Sequence, residues 1–225
     1  MSRASQLTVG GSVDWQFAGT VGARLARPAP PATDYTLRQA IDELSKASRA
    51  AEEPVREVTG LSSGAPVPDA RVIDRKDWIR AAAESMRAMT GGAGSDVRGN
   101  ALTGRIAGAQ TGAVLAFVSS GILGQYDPFA GEGPDGNSGA LLLVYPNVIA
   151  AERQMRLPPK DFRLWVCLHE VTHRVQFTAN PWLAGHMSGA LDVLISDQDQ
   201  DVGQVVGRLA DFVKDRGVQR GRGPH

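Results

Sequence analysis

Apolar and polar positions alternate along this chain with a period close to that of a helix in most of its length. Asp14 precedes Trp15 to Leu25, a stretch that predicts a short capped helix ended by the loop Ala26-Arg27-Pro28-Ala29-Pro30-Pro31. Thr33-Asp34 opens a longer one, in which Leu37, Ala40, Ile41, Leu44 and Ala47 form an apolar stripe. Pro54 is expected to interrupt or kink it before Gly60, and Ser62 to Pro66 is linker-like. Asp74 or Lys76 begins a further helix, Asp77 to about Met89, with Trp78, Ile79, Ala82 and Met86 on its apolar side. Both stripes predict helix packing and nothing more.

After Arg105 the pattern changes. Ile106 to Tyr126 carries no charge, and its length is that of a membrane span. Gln110, Thr111, Ser119, Ser120 and Gln125 dilute it, and neither an aromatic belt nor a basic cluster flanks it. A central helix buried on all sides, ended by Asp127-Pro128, is the expectation. Gly108 and Gly112 form a G-x-x-x-G that would let neighbouring helices approach closely. Phe129 to Gly139 reads as a glycine-rich surface turn, with neither a Walker-type lysine nor a dinucleotide fingerprint. Ala140 to Tyr145 is the best strand in the chain, Asn147 to Met155 a short helix, and Arg156 to Lys160 a loop. The predicted class is mainly α, with a small β element (α+β).

The chemistry concentrates in Phe162 to Met187. His169-Glu170-Val171-Thr172-His173 is an H-E-x-x-H sequence in a helix-compatible run. Residues four apart lie one above the other on a helix, so two imidazoles can face one cation, with Glu170 beside them to take a proton from a metal-bound water. Asp161 can cap this helix, and Trp165, Leu168, Thr172 and Val175 are expected to bury against the core. Asn180-Pro181 marks a stop and restart, Asn serving as N-cap of a second helix from Pro181 to about Ser196. If the two helices form a hairpin, His186 can face His173 as a third ligand, with Asp192 and Asp197 as weaker candidates. Asp197, Asp199 and Asp201 lack the glycine and glutamate of a calcium loop and suit a helix N-terminus running into Val202 to Val213.

Composition adds limits. The chain has 225 residues, 42% of them hydrophobic, with a net charge of zero. That is room for a real core, and no global field favours nucleic acid or an acidic membrane surface. The single cysteine, Cys167, excludes an internal disulfide framework and suits a buried thiol. The first fifteen residues lack the apolar segment of a signal peptide, so a cytoplasmic protein without nucleic-acid or membrane partners is expected.

The segments LWVCLHEVTHRVQFTANPWLAGHM, LLLVYPNVIAAERQ and GILGQYDPF resemble a family of actinobacterial zincin-like metallopeptidases. Its members carry the description of hydrolases associated with coenzyme F-420 biosynthesis. The similarity runs from about Val13-Asp14-Trp15 through ARVIDRKDWIRA to roughly Ile195. It implies a zincin-like helical domain with the small β element at the active-site cleft. His169 and His173 are then Zn²⁺ ligands, Glu170 is the general base, and a peptide or protein is the substrate. In zincins a strand edges the cleft and pairs with the substrate, which makes Ala140 to Tyr145 the candidate. One domain is expected over residues 13–215, a helical part at 13–125 and a metal-site part at 139–215, between disordered ends at 1–12 and 216–225. The family pattern also has a later helix with a Glu-Gly-His-type motif. The polar tail from Arg216 to His225 contains none, so a truncated, inactive scaffold that binds a partner is the competing expectation.

Overall fold

The computed structural model describes residues 13–62, 68–90, 101–131 and 139–197. The predicted ends at 1–12 and 216–225, the helix after Asp201, and most of the linker and of the glycine-rich turn lie outside these residues. The chain divides into a unit spanning residues 1–188 and a second from Gly189 onward, whose described part is the end of one helix.

Helix α1, Trp15–Leu25, starts where Asp14 accepts a hydrogen bond from the Phe17 amide at 2.8 Å. Helix α2, Asp34–Ala50, is capped by Thr33 in the same way. The break expected at Pro54 falls three residues earlier. Pro54 needs no amide partner in a first turn, so a new helix α3, Glu52–Thr59, begins just after Ala51. Gly60, at φ 68°, closes it in the left-handed conformation that glycine adopts without strain.

A short strand not read from the sequence follows, β1, Arg71–Ile73. Three residues carry too little alternation to register as a strand. Asp74 then caps helix α4, Arg75–Met89. The uncharged run is not one helix. Helix α5, Ala101–Val118, ends in a turn, and Gly124–Asp127 is a strand, β2. Nor is α5 buried on all sides: Gly104, Gly108, Gly112 and Ala116 form its buried stripe, while Leu102 is 64% and Ile106 53% exposed. The small residues do bring helices together. A Cβ on Gly112 would lie 2.5 Å from the Ala18 carbonyl oxygen, and one on Gly108 2.6 Å from that of Asp14. Helix α1 therefore lies backbone to backbone on α5. Among the described residues no helix is long and apolar enough to cross a membrane.

Strand β3, Ala140–Val144, follows, then helix α6, Tyr145–Met155, helix α7, Pro159–Ala179, and helix α8, Trp182–Asp197. The strand order is β1-β3-β2, with β1 parallel and β2 antiparallel to β3. The expected edge strand is thus the central one. Its Leu141 and Leu143 enter one core with Leu44, Val148, Phe162, Val166 and Val171. Its Leu142 and Val144 enter a second core with Trp78, Ile79 and Ala116. Helices on both faces explain why β3 is apolar at every position, and β2 is left as the edge nearest α7. Eight helices around three strands make the described chain mainly α, in the α+β class.

Candidate functional site

Helix α7 carries the site. Asp161 does not cap it: the helix begins at Pro159, and Asp161 sits in the first turn, where its charge suits the helix dipole. The face against the core is Phe162, Arg163, Val166, Cys167, Glu170, Val171, Arg174 and Val175, whereas Trp165, expected inside, is 57% exposed. Two buried arginines decide that orientation. Arg163 forms a two-pronged pair with Glu152 at 2.7 and 3.0 Å and reaches Glu43 at 2.6 Å. Arg174 donates to Glu52 at 2.6 Å and to the Pro68 carbonyl at 2.9 Å. Both thereby find carboxylates on other helices, which lets a charged side chain sit inside.

On the outer side His169 and His173 are both exposed, with ring centroids 4.9 Å apart and planes at 89°. Glu170, next to His169 but turned inward, is buried. All three line a cleft of about 380 Å³ with Ser85 and Met89 of α4, Gly124 to Asp127 of β2, Pro128, Phe129, Phe177 and Met187. Burial pushes the Glu170 carboxyl up to about 7. The same cause drives the Cys167 thiol, on the core side, up to about 12, so it is inert at neutral pH. Tyr126 is also raised by burial, with Arg174 pulling the other way.

Gly124 is the part of this site that the motif does not announce. A Cβ there would meet Glu170 Cγ at 2.6 Å and Cδ at 2.9 Å, so glycine is what lets the carboxylate lie against β2. Asp127 ends the strand, accepting from Ser85 Oγ at 2.8 Å and from the Phe129 amide at 2.9 Å. The strand was not legible beforehand because Gly124 to Tyr126 lie inside an uncharged run that reads as helix.

The second helix starts at Trp182, one residue later than expected, and Asn180 has a different use. Its side-chain amide donates back to the Gln176 carbonyl at 2.9 Å, closing α7. His186 stands edge-on to Trp182 with centroids 5.9 Å apart, and its neighbour Met187 lines the cleft. Among the described residues no group of three His, Cys, Asp or Glu is placed to hold a metal ion. The structure therefore brings together His169, Glu170 and His173 and does not add His186 to them. The side chains of Asp192 and Asp197 lie outside the described part.

A helix carrying H-E-x-x-H beside a small sheet is the arrangement that the comparison with known families bears on. The sequence profile of the zincin-like metallopeptidase family matches residues 13–220, and the chain belongs to it. It is also similar to a crystal structure from Chloroflexus aurantiacus called a "putative hydrolase with a novel fold", with 26% identity and a TM-score of 0.62. The similarity covers 82% of this chain and 59% of that one, so the chain spans about three fifths of its neighbour's length. No curated protein sequence matches it.

Proposed function

We propose that the protein is a zinc-dependent peptide hydrolase in which His169 and His173 hold the metal and Glu170 is the general base. The observation that carries this is the placement of Glu170: a buried carboxyl that lines one cleft with two exposed imidazoles, its pKa raised to about 7 by burial. A base works best when its pKa lies near the working pH, and desolvation supplies that here. The donor set suits zinc, which takes imidazole nitrogen readily. When bound, zinc would act as a Lewis acid toward the substrate carbonyl and make water more acidic. Glu170 takes the proton of the attacking water as the C–O bond forms. It hands that proton to the amide nitrogen as the C–N bond breaks.

The rest of the cleft fits a peptide. Among the described residues nothing pairs with the outer edge of β2, and an extended chain can add there as a further strand. Met89, Phe129, Phe177 and Met187 form an apolar wall for one of its side chains. His186 is proposed as third ligand because it lies on the helix that carries Met187 into the cleft. The competing reading is a partner-binding scaffold without catalysis, favoured by the absence of a three-ligand group among the described residues.

Zinc content of the purified chain decides between them. About one zinc per chain, lost in His169→Ala, is expected for a mononuclear site. Glu170→Gln should keep the metal and lose peptide hydrolysis. Wild-type turnover in Glu170→Gln removes the base from the mechanism, and folded protein without zinc favours the scaffold.

A further inference from the structure

The two imidazoles on α7 are held by different neighbours. His173 Nδ1 lies 3.3 Å from Gln176 Oε1. A ring protonated at Nδ1 donates to that oxygen and leaves Nε2 as its free lone pair. Among the described residues His169 has no hydrogen-bond partner. Its ring is instead held between two others, offset-stacked on Trp165 at 5.9 Å and 20°, and edge-on to His173. Phe162 stacks on Trp165 from behind at 6.0 Å and 14°. Residues 162, 165, 169, 173 and 176 thus succeed one another at steps of three and four, along one side of the helix.

Core packing does not account for Trp165. Its indole is more than half exposed, and the buried face of α7 closes without it. We propose that Trp165 is a positioning residue for His169, doing by ring stacking what Gln176 does for His173 by hydrogen bonding. This rests on the metal reading above. A surface histidine rotates about two side-chain bonds, and holding it in one rotamer to meet a cation costs entropy on binding. An aromatic face beside the imidazole restricts that rotation before the cation arrives. Neighbours that orient metal-binding imidazoles are typically worth about 10- to 100-fold in affinity. An exposed stack belongs at the lower end.

The test uses the full chain stripped of metal and titrated with Zn²⁺ alone, read by calorimetry, with Co²⁺ as a spectroscopic probe. Trp165→Ala should weaken Zn²⁺ binding by about 10-fold, and Gln176→Ala by a similar factor. Trp165→Phe, which keeps a ring there, should recover most of the loss. The melting temperature of the stripped protein should stay close to wild type in Trp165→Phe, which keeps the stack on Phe162, and fall only slightly in Trp165→Ala, because the side chain is mainly in water. Co²⁺ should quench tryptophan emission in the wild type, and Trp165→Phe should lose part of that quenching, the rest coming from Trp182 beside His186. Wild-type Zn²⁺ affinity in Trp165→Ala overturns the positioning role and leaves the metal site standing. A wild-type chain that binds no Zn²⁺, or binds it equally well as His169→Ala, overturns both.

Discussion

Helices α5 and α7 are the two longest among the described residues, and each contradicts its own hydropathy. From Ile106 on, α5 has no charged residue, yet it turns Ile106, Phe117 and Val118 toward solvent and buries glycine. Helix α7 has charges throughout its length, yet it buries Arg163, Glu170 and Arg174 while Leu164 and Trp165 stay outside. In α5 the buried face is chosen by how close two backbones can come. Only glycine fits at Gly112, where an added Cβ would lie 2.5 Å from the Ala18 carbonyl oxygen, and the gain is spread over many small contacts. In α7 it is chosen by which charges find partners on α2, α3 and α6. Hydropathy alone ranks these faces wrongly because it weighs each residue without its neighbour.

The largest way to break this contrast is on α7. Arg163→Ala removes both prongs of the pair and leaves Glu152, itself 5% exposed, buried without a counter-charge. That should cost about 3–5 kcal/mol in urea unfolding. Arg163→Met, which keeps the volume but not the charge, should do little better unless Glu152 is replaced with it. A combined Arg163→Met, Glu152→Gln change that recovers most of the loss would show that the pair is dispensable once no charge is stranded. A loss below about 1 kcal/mol in Arg163→Ala would mean that the pair behaves as a surface one.

On α5 the matching change is Gly112→Ala. Alanine gains about 1 kcal/mol of helix propensity over glycine. Against that, the added methyl meets the Ala18 carbonyl and the Gly22 amide, both backbone atoms that cannot step aside without moving α1. Overpacking of this kind costs typically 1–3 kcal/mol, and a backbone clash lies at or above the top of that range. A net loss of about 2 kcal/mol is expected, measured by thermal unfolding. A stabilised Gly112→Ala would mean that α1 and α5 are not held in backbone contact in solution.

What the residues revealed in advance follows the same division. Caps are local, so Asp14, Thr33 and Asp74 marked the starts of α1, α2 and α4. The helical spacing of His169 and His173 is local too, and it found the imidazole pair. The sheet was legible only at β3, where burial on both faces makes every position apolar. That same property hid its place in the order, because an apolar run says nothing about which edges are paired. Strand β1 is too short to alternate, and β2 looked like the end of a helix because the uncharged run continues to Tyr126 and the next charge and proline are Asp127-Pro128. Gly124 beside Glu170, and Glu152 and Glu43 on Arg163, join residues far apart in the chain, and no spacing rule reaches them.

Glu170 lies between these regimes, since it is a buried charge with no counter-charge in direct contact among the described residues. In metal-stripped protein its carboxyl rises from the usual 4.5 to about 7 through burial, so between those values the native state binds more protons than the unfolded chain. Stability must therefore fall as pH rises through that window, be free of the penalty below it, and carry all of it above. One pKa unit is worth about 1.4 kcal/mol, and after allowance for water in the open cleft a penalty of about 2 kcal/mol is expected at pH 8. Glu170→Gln should accordingly match the wild type at about pH 4 and exceed its unfolding free energy at pH 8 by about that amount. Parallel pH profiles for the two proteins would mean that the carboxylate is solvated in the cleft. Added Zn²⁺ should narrow the difference at pH 8, because a cation beside Glu170 favours the ionised form that burial opposes.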